Sequence, residues 1–154
     1  MAEPLVFLMG KHAAVLPADL RYCKNHMWCR PGPAGVHRFG FTSYAVRLMQ
    51  DVYFLEWKVD PGTPLRAKQE IGFIESSKAQ SELYAPTGGT VTAFNPALLD
   101  DPSGINADGY GAGWLFEMAA DVSEALDAAA YRDHLAATWE QTQRLLKKQV
   151  HLED

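Results

Sequence analysis

Two groups of residues in this sequence have types and spacings that invite chemistry. The first is Lys78, set in Glu75-Ser76-Ser77-Lys78-Ala79-Gln80-Ser81-Glu82. A solvated lysine amine is protonated at neutral pH and is a poor nucleophile. Small neighbours that leave it accessible therefore suit a lysine that is modified better than one that attacks a substrate. The plain alternative is a solvated turn lysine. The second group is Cys23, His26 and Cys29, spaced Cys-x2-His-x2-Cys. Read as one extended strand, this spacing puts both thiols on one face and the imidazole on the other. The three do not converge on a metal, and the expectation is structural thiols. Two cysteines make no disulfide framework either. A GxGxxG fingerprint, a P-loop, a HExxH motif and a serine-hydrolase elbow are absent from the sequence.

The elements that must position Lys78 are legible around it. Ile71-Gly72-Phe73-Ile74 and Leu83-Tyr84-Ala85 are apolar runs flanking a small polar stretch, the pattern of a β-hairpin with the lysine at its turn. Upstream, Arg21 to Arg30 reads as extended, Pro31-Gly32-Pro33-Ala34-Gly35 as a turn, and Val36 to Phe41 as the returning strand. Thr42-Ser43 offers a hydroxyl cap for a short helix over Tyr44 to Met49. Val52 to Trp57 is dense in β-branched and aromatic residues, hence a strand. Thr90 to Phe94 alternates as a strand does. Residues 95 to 113 read as a long loop around a short helical turn at Ala97-Leu98-Leu99, and Trp114 to Met118 closes the sheets. Leu126, Ala130, Leu135, Trp139, Leu146 and Val150 recur at helical spacing from Ser123 onward, with a break near Tyr131. Short strands with Pro/Gly turns followed by helix give a mainly β fold, a small barrel or sandwich with appended helices. Residues 1–19 read as a weakly patterned lead-in.

With 154 residues, nearly half of them hydrophobic, the chain has enough apolar side chain for one core but not for two full domains. A net charge of −5 without a cationic stripe argues against nucleic-acid binding. Leu5 to Met9 is too short for a signal core or a membrane span, and no basic cluster precedes it. The expectation is a cytoplasmic protein without membrane association.

Several stretches share the register of one family. Glu75-Ser76-Ser77-Lys78-Ala79 resembles the Glu-x-x-Lys-Ala signature of lipoyl-carrying domains, whereas biotin carriers flank their lysine with methionines. Tyr22-Cys23-Lys24-Asn25-His26-Met27-Trp28-Cys29, Phe39-Gly40-Phe41-Thr42-Ser43-Tyr44-Ala45, Asp51 to Glu56, Asn95-Pro96-Ala97-Leu98 and Tyr110-Gly111-Ala112-Gly113-Trp114-Leu115 resemble successive segments of the glycine cleavage system H-protein family. The resemblance runs from about residue 20 to residue 131, leaving 132–154 as a helical extension. It implies a barrel-sandwich hybrid of the lipoyl/biotinyl-carrier kind, with lipoic acid joined covalently to Lys78. It also implies partners: a lipoate-protein ligase or a lipoyl/octanoyl transferase, then glycine decarboxylase, aminomethyltransferase and dihydrolipoyl dehydrogenase, among which an aminomethyl group is carried. Glu75 and Glu82 are the candidates for recognition by the modifying enzyme.

Two departures from the family pattern bear on the cargo. The glutamate that usually follows the histidine is Met27 here, and the helix before Asp51 offers Leu48 and Met49 without a histidine. A carboxylate would stabilise a cationic adduct, and Met27 cannot. Either the cleft is rebuilt elsewhere, with Glu82 or Glu56 supplying the charge, or the arm carries another cargo. Lipoyl carriers similar to this family serve sulfur-oxidation enzymes of the heterodisulfide-reductase-like kind, and a lipoate relay or scaffold is the third reading. The helix residues Leu135, Trp139, Leu146 and Val150 are expected to pack back on the barrel, with a partner surface as the alternative.

Overall fold

Trp28 and Gly40 are directly opposed on neighbouring strands, and their contact shows how tightly the larger sheet is packed. A Cβ at position 40 would fall 2.5 Å from the indole ring, so the pairing requires glycine. The computed structural model of the chain describes residues 3–153, with side chains through Leu145. Its largest sheet is antiparallel, with spatial order β3 (Arg21–Tyr22), β4 (Met27–Arg30), β5 (Val36–Phe41), β11 (Phe116–Ala120), β10 (Gly89–Phe94) and β7 (Pro64–Leu65). A second sheet holds β6 (Val52–Trp57), β8 (Glu70–Ser76) and β9 (Gln80–Tyr84). Between them lies a core built from Met27, Phe39, Phe41, Ile71, Ile74, Leu83, Val91, Phe116 and Met118, all buried. The fold is mainly β with an appended helix, as the strand and turn pattern indicates.

Helix α1 (Ser43–Met49) starts where the hydroxyl pair predicts: the Thr42 side chain accepts a hydrogen bond from the Ala45 amide at 3.2 Å. Residues 95 to 113 hold two short helices, α2 (Pro96–Asp100) and α3 (Gly104–Ala107), rather than one turn. Asn95 caps the first of them, and Pro96 fits its first turn because that position needs no amide donor.

Within the stretch that reads as a weakly patterned lead-in, β1 (Leu5–Met9) and β2 (His12–Leu16) form a hairpin that buries Phe7, Met9, Ala14 and Leu16 in a second cluster. Two expectations are corrected. Arg21 to Arg30 is not one strand but a tight hairpin, turned by His26 at φ 71°. The C-terminal helix, α4 (Ala128–Glu153), runs through Tyr131 without a break. Leu126 lies before it and pairs instead with Tyr22 in a backbone bridge. Leu135 is buried and Trp139 packs edge-on against Phe7, at 5.8 Å between ring centroids. The side chains of Leu146 and Val150 lie outside the described residues.

Candidate functional site

Lys78 is exposed at the turn between β8 and β9. Ser76, the last residue of β8, fixes that turn. Its amide and its hydroxyl both donate to the Ala79 carbonyl, at 3.0 and 3.1 Å, and its hydroxyl oxygen accepts from the Lys78 and Ala79 amides at 3.4 Å. The next residue is tied to the neighbouring strand: the Ser77 amide donates to the Asp51 carbonyl at 2.9 Å, and the Asp51 amide to the Ser77 hydroxyl at 3.3 Å. Asn106 holds the far side of this joint, accepting from the Val52 amide and donating to the Gln50 carbonyl. The backbone under Lys78 is therefore held in a defined shape, while the four-carbon stem projects from it.

Behind β8, Gly72 lets β6 approach. A Cβ there would stand 2.4 Å from the Glu56 carbonyl oxygen.

Beside the lysine is a cleft of about 350 Å³. One wall is α1, contributing Ala45, Leu48 and Met49; the other is the hairpin, contributing Ser76, Lys78, Ser81 and Leu83; Asn25, His26 and Phe41 close the end. The exposed surface of the cleft is mostly apolar, with hydrogen-bonding groups from Asn25, His26, Ser76 and Ser81 and the charged Lys78 and Glu82 in its lining. Asn25 also spans the closed end, donating to the Tyr84 carbonyl at 3.3 Å.

His26 is packed against Tyr44 at 4.8 Å and shares a 2.9 Å hydrogen bond between its Nδ1 and the Tyr131 hydroxyl, which is 3.0 Å from Thr42 Oγ1. Burial, and then the nearby His134, push its pKa down to about 4. The imidazole at the end of the cleft is thus neutral at physiological pH.

The sequence candidates fall as follows. Glu75 is half-buried near the hairpin tip and Glu82 is exposed on β9. Glu82 borders the cleft, but its carboxyl is hydrogen-bonded to that of Glu70, which raises its pKa. Glu56 is opposite Phe73 on the outer face of the sheet and does not line the cleft. Of the two glutamates, Glu82 lines the cleft in which Met27 supplies no carboxylate, and Glu56 does not. Met27 itself is 1% exposed and belongs to the core, while Leu48 and Met49 do line the cleft. Burial raises the thiol pKa of Cys23 to about 11 and of Cys29 to about 12, so both are unreactive thiols. Among the described residues no three His, Cys, Asp or Glu side chains are grouped to hold a metal. Ser76, Asp51 and Asn106 escaped the sequence reading. The serine was visible only as a small neighbour of the lysine, and the other two act across the fold.

An exposed lysine on a hairpin held in shape by Ser76, beside a largely apolar cleft, is the arrangement of a carrier domain. The glycine cleavage H-protein family model matches residues 20–143. A glycine cleavage system H protein of Halorhodospira halophila is 41% identical over 79% of this chain and 95% of its own length. One from Psychrobacter cryohalolentis is 42% identical over 78% of this chain and 98% of its own. The crystal structure of the Mycobacterium marinum glycine cleavage system H protein superposes with a TM-score of 0.70 at 36% identity, covering 79% of this chain and 99% of that one. The chain belongs to the glycine cleavage H-protein family. Its fold is the barrel-sandwich of lipoyl domains, and it is a lipoyl carrier of glycine cleavage rather than an enzyme. No helix among the described residues is long and apolar enough to cross a membrane.

Proposed function

We propose that lipoic acid is attached through an amide to Nζ of Lys78, and that the arm so formed visits glycine decarboxylase, aminomethyltransferase and dihydrolipoyl dehydrogenase in turn. The observation that carries this reading is the exposed Lys78 at a turn locked by Ser76, next to a cleft that the same residue helps to line. The residues present fit such a group. Acylation replaces an ammonium by a neutral amide, and Phe41, Ala45, Leu48, Met49 and Leu83 offer an apolar bed that a charged lysine would not favour.

The attached dithiolane supplies reversible thiol–disulfide chemistry, because a five-membered ring cannot reach the relaxed disulfide dihedral. The protein supplies presentation and tethering, which raises the arm's effective concentration at each partner without tight binding. A lipoate-protein ligase or a lipoyl/octanoyl transferase installs the group, with Glu75 and Glu82, on the two strands of the lysine hairpin, as the residues it recognises. This work is placed in the cytoplasm.

Incubation with lipoate, ATP and a purified lipoate-protein ligase is expected to add one lipoyl mass to the peptide containing Lys78, and Lys78→Arg to abolish the addition. An unmodified parent chain, or a lipoyl mass retained in the variant, refutes the assignment.

A further inference from the structure

The outer face of the β6–β8–β9 sheet carries aromatic side chains that are exposed among the described residues. Along these strands Val52, Ile74, Ser76 and Leu83 turn inward. On the other side Tyr53, Phe54 and Tyr84 are 63%, 40% and 45% exposed, and Phe54 meets Phe73 at 5.6 Å between ring centroids. Charge on this face is mostly acidic, with Lys58 among the carboxylates, its ammonium next to Glu70 and 5.6 Å from the Phe73 ring centroid. Glu56 and Glu82 flank Phe73 in register, Glu75 is opposite Phe54, and Glu70 is opposite Tyr84, against Lys58. Glu70 and Glu82 are hydrogen-bonded to each other, and Lys58 stands 3.2 Å from Glu70. Two carboxyl groups held this close repel unless a proton or a cation mediates between them. A planar guanidinium meets both needs of such a face, stacking on aromatic rings and pairing with carboxylates.

We propose that this face docks a basic, arginine-bearing surface of the decarboxylating enzyme that loads the arm. The proposal rests on the lipoyl-Lys78 reading and adds to it where that enzyme sits. Reach favours the loading enzyme over the modifying one. Phe73 is three residues back from the end of β8 at Ser76, or about 10 Å at strand spacing. An extended lysyl-lipoyl arm spans on the order of 14 Å at ordinary bond lengths. A protein seated on Phe73 and Glu56 holds its active site within the swing of the arm's end, whereas an enzyme that acylates the bare amine must close on the turn itself.

The test uses the full chain carrying Lys78→Arg, to which no arm can attach, titrated calorimetrically into purified glycine decarboxylase. Adding Tyr53→Ser with Glu56→Lys should raise Kd about tenfold, and added salt should weaken the parent's binding more than the variant's. The same pair of substitutions on a chain that retains Lys78 should leave the rate of lipoylation by the ligase at the parental value, showing that the hairpin keeps its shape. An unchanged Kd, a parent chain that does not bind, or self-association of the parent in sedimentation that assigns the face to a second copy would overturn the proposal. So would a joint loss of binding and lipoylation, which would place the effect in the hairpin. Failure of the ligase to modify the parent chain would instead sink the Lys78 reading and leave the docking result standing.

Discussion

At the scale of single residues, His26 joins the cleft to the rest of the molecule. It turns the β3–β4 hairpin in a left-handed conformation, ends the cleft, and meets α4 through Tyr131. Its folded pKa of about 4 lies below the ordinary 6.5, so between these values the unfolded chain binds a proton that the folded chain refuses. The stability that His26 contributes is complete above pH 6.5 and is lost as pH falls toward 4, by on the order of 3 kcal/mol. His26→Asn removes the titration and keeps a residue that tolerates positive φ. Urea unfolding at pH 7 and pH 4.5 should show the variant losing less stability between the two than the parent loses. Equal losses would mean that the imidazole is not held neutral. The sequence displayed His26 only as a member of a Cys/His spacing. Histidine is enriched at positive φ but is seen there far less often than glycine, so its identity alone does not mark a turn and the segment reads as one strand.

At the scale of elements, the lysine hairpin was legible because its two apolar runs, Ile71 to Ile74 and Leu83 to Ala85, bracket a run of small and polar residues. The α1 start was legible because Thr42 is a capping residue in front of an apolar stretch. What stays hidden in such a reading is cross-fold hydrogen bonding. Ser76 looks interchangeable with Ser77, yet it alone closes the turn on itself. Ser76→Ala removes its hydroxyl donor to Ala79 and its acceptance from the Lys78 and Ala79 amides, and should cost about 1–2 kcal/mol. The specific signature is local: hydrogen exchange at the Lys78 and Ala79 amides should accelerate while the Val91 and Met118 amides of the larger sheet stay protected. Uniform acceleration would make Ser76 an ordinary contributor to global stability. The N-terminal hairpin was missed for a different reason. Val6, Leu8 and Val15 are apolar but face outward, which blurs the alternation that Phe7, Met9, Ala14 and Leu16 would otherwise have displayed.

At the scale of the whole molecule, two clusters divide the labour. One fills the space between the two larger sheets and includes Ile74 and Leu83 beneath the lysine hairpin. The other joins the β1–β2 hairpin, Tyr22, Trp28, Tyr44 and α4. Helix α1 is their seam, with Tyr44 in the second cluster and Ala45 in the first. Residues 1–19 precede the span matched by the family model, and relatives covered over 95% and 98% of their own length match only 79% and 78% of this chain. The hairpin is therefore an addition laid over a fold that the matched span completes. Deleting residues 1–19 uncovers Tyr44, Leu135 and Trp139 without touching the contacts of Ser76 or Asp51 with the turn. After the order freed in the deleted strands offsets part of the lost burial, a net cost of about 3 kcal/mol is expected, or a fall of roughly 10 °C in Tm. Lipoylation of Lys78 by the ligase should continue within about twofold of the parental rate at 20 °C. Calorimetry and the mass assay on the truncated chain separate the two effects. A loss of modification in a chain that still melts cooperatively would show that the added hairpin reaches the lysine through α1, and that the two clusters act as one.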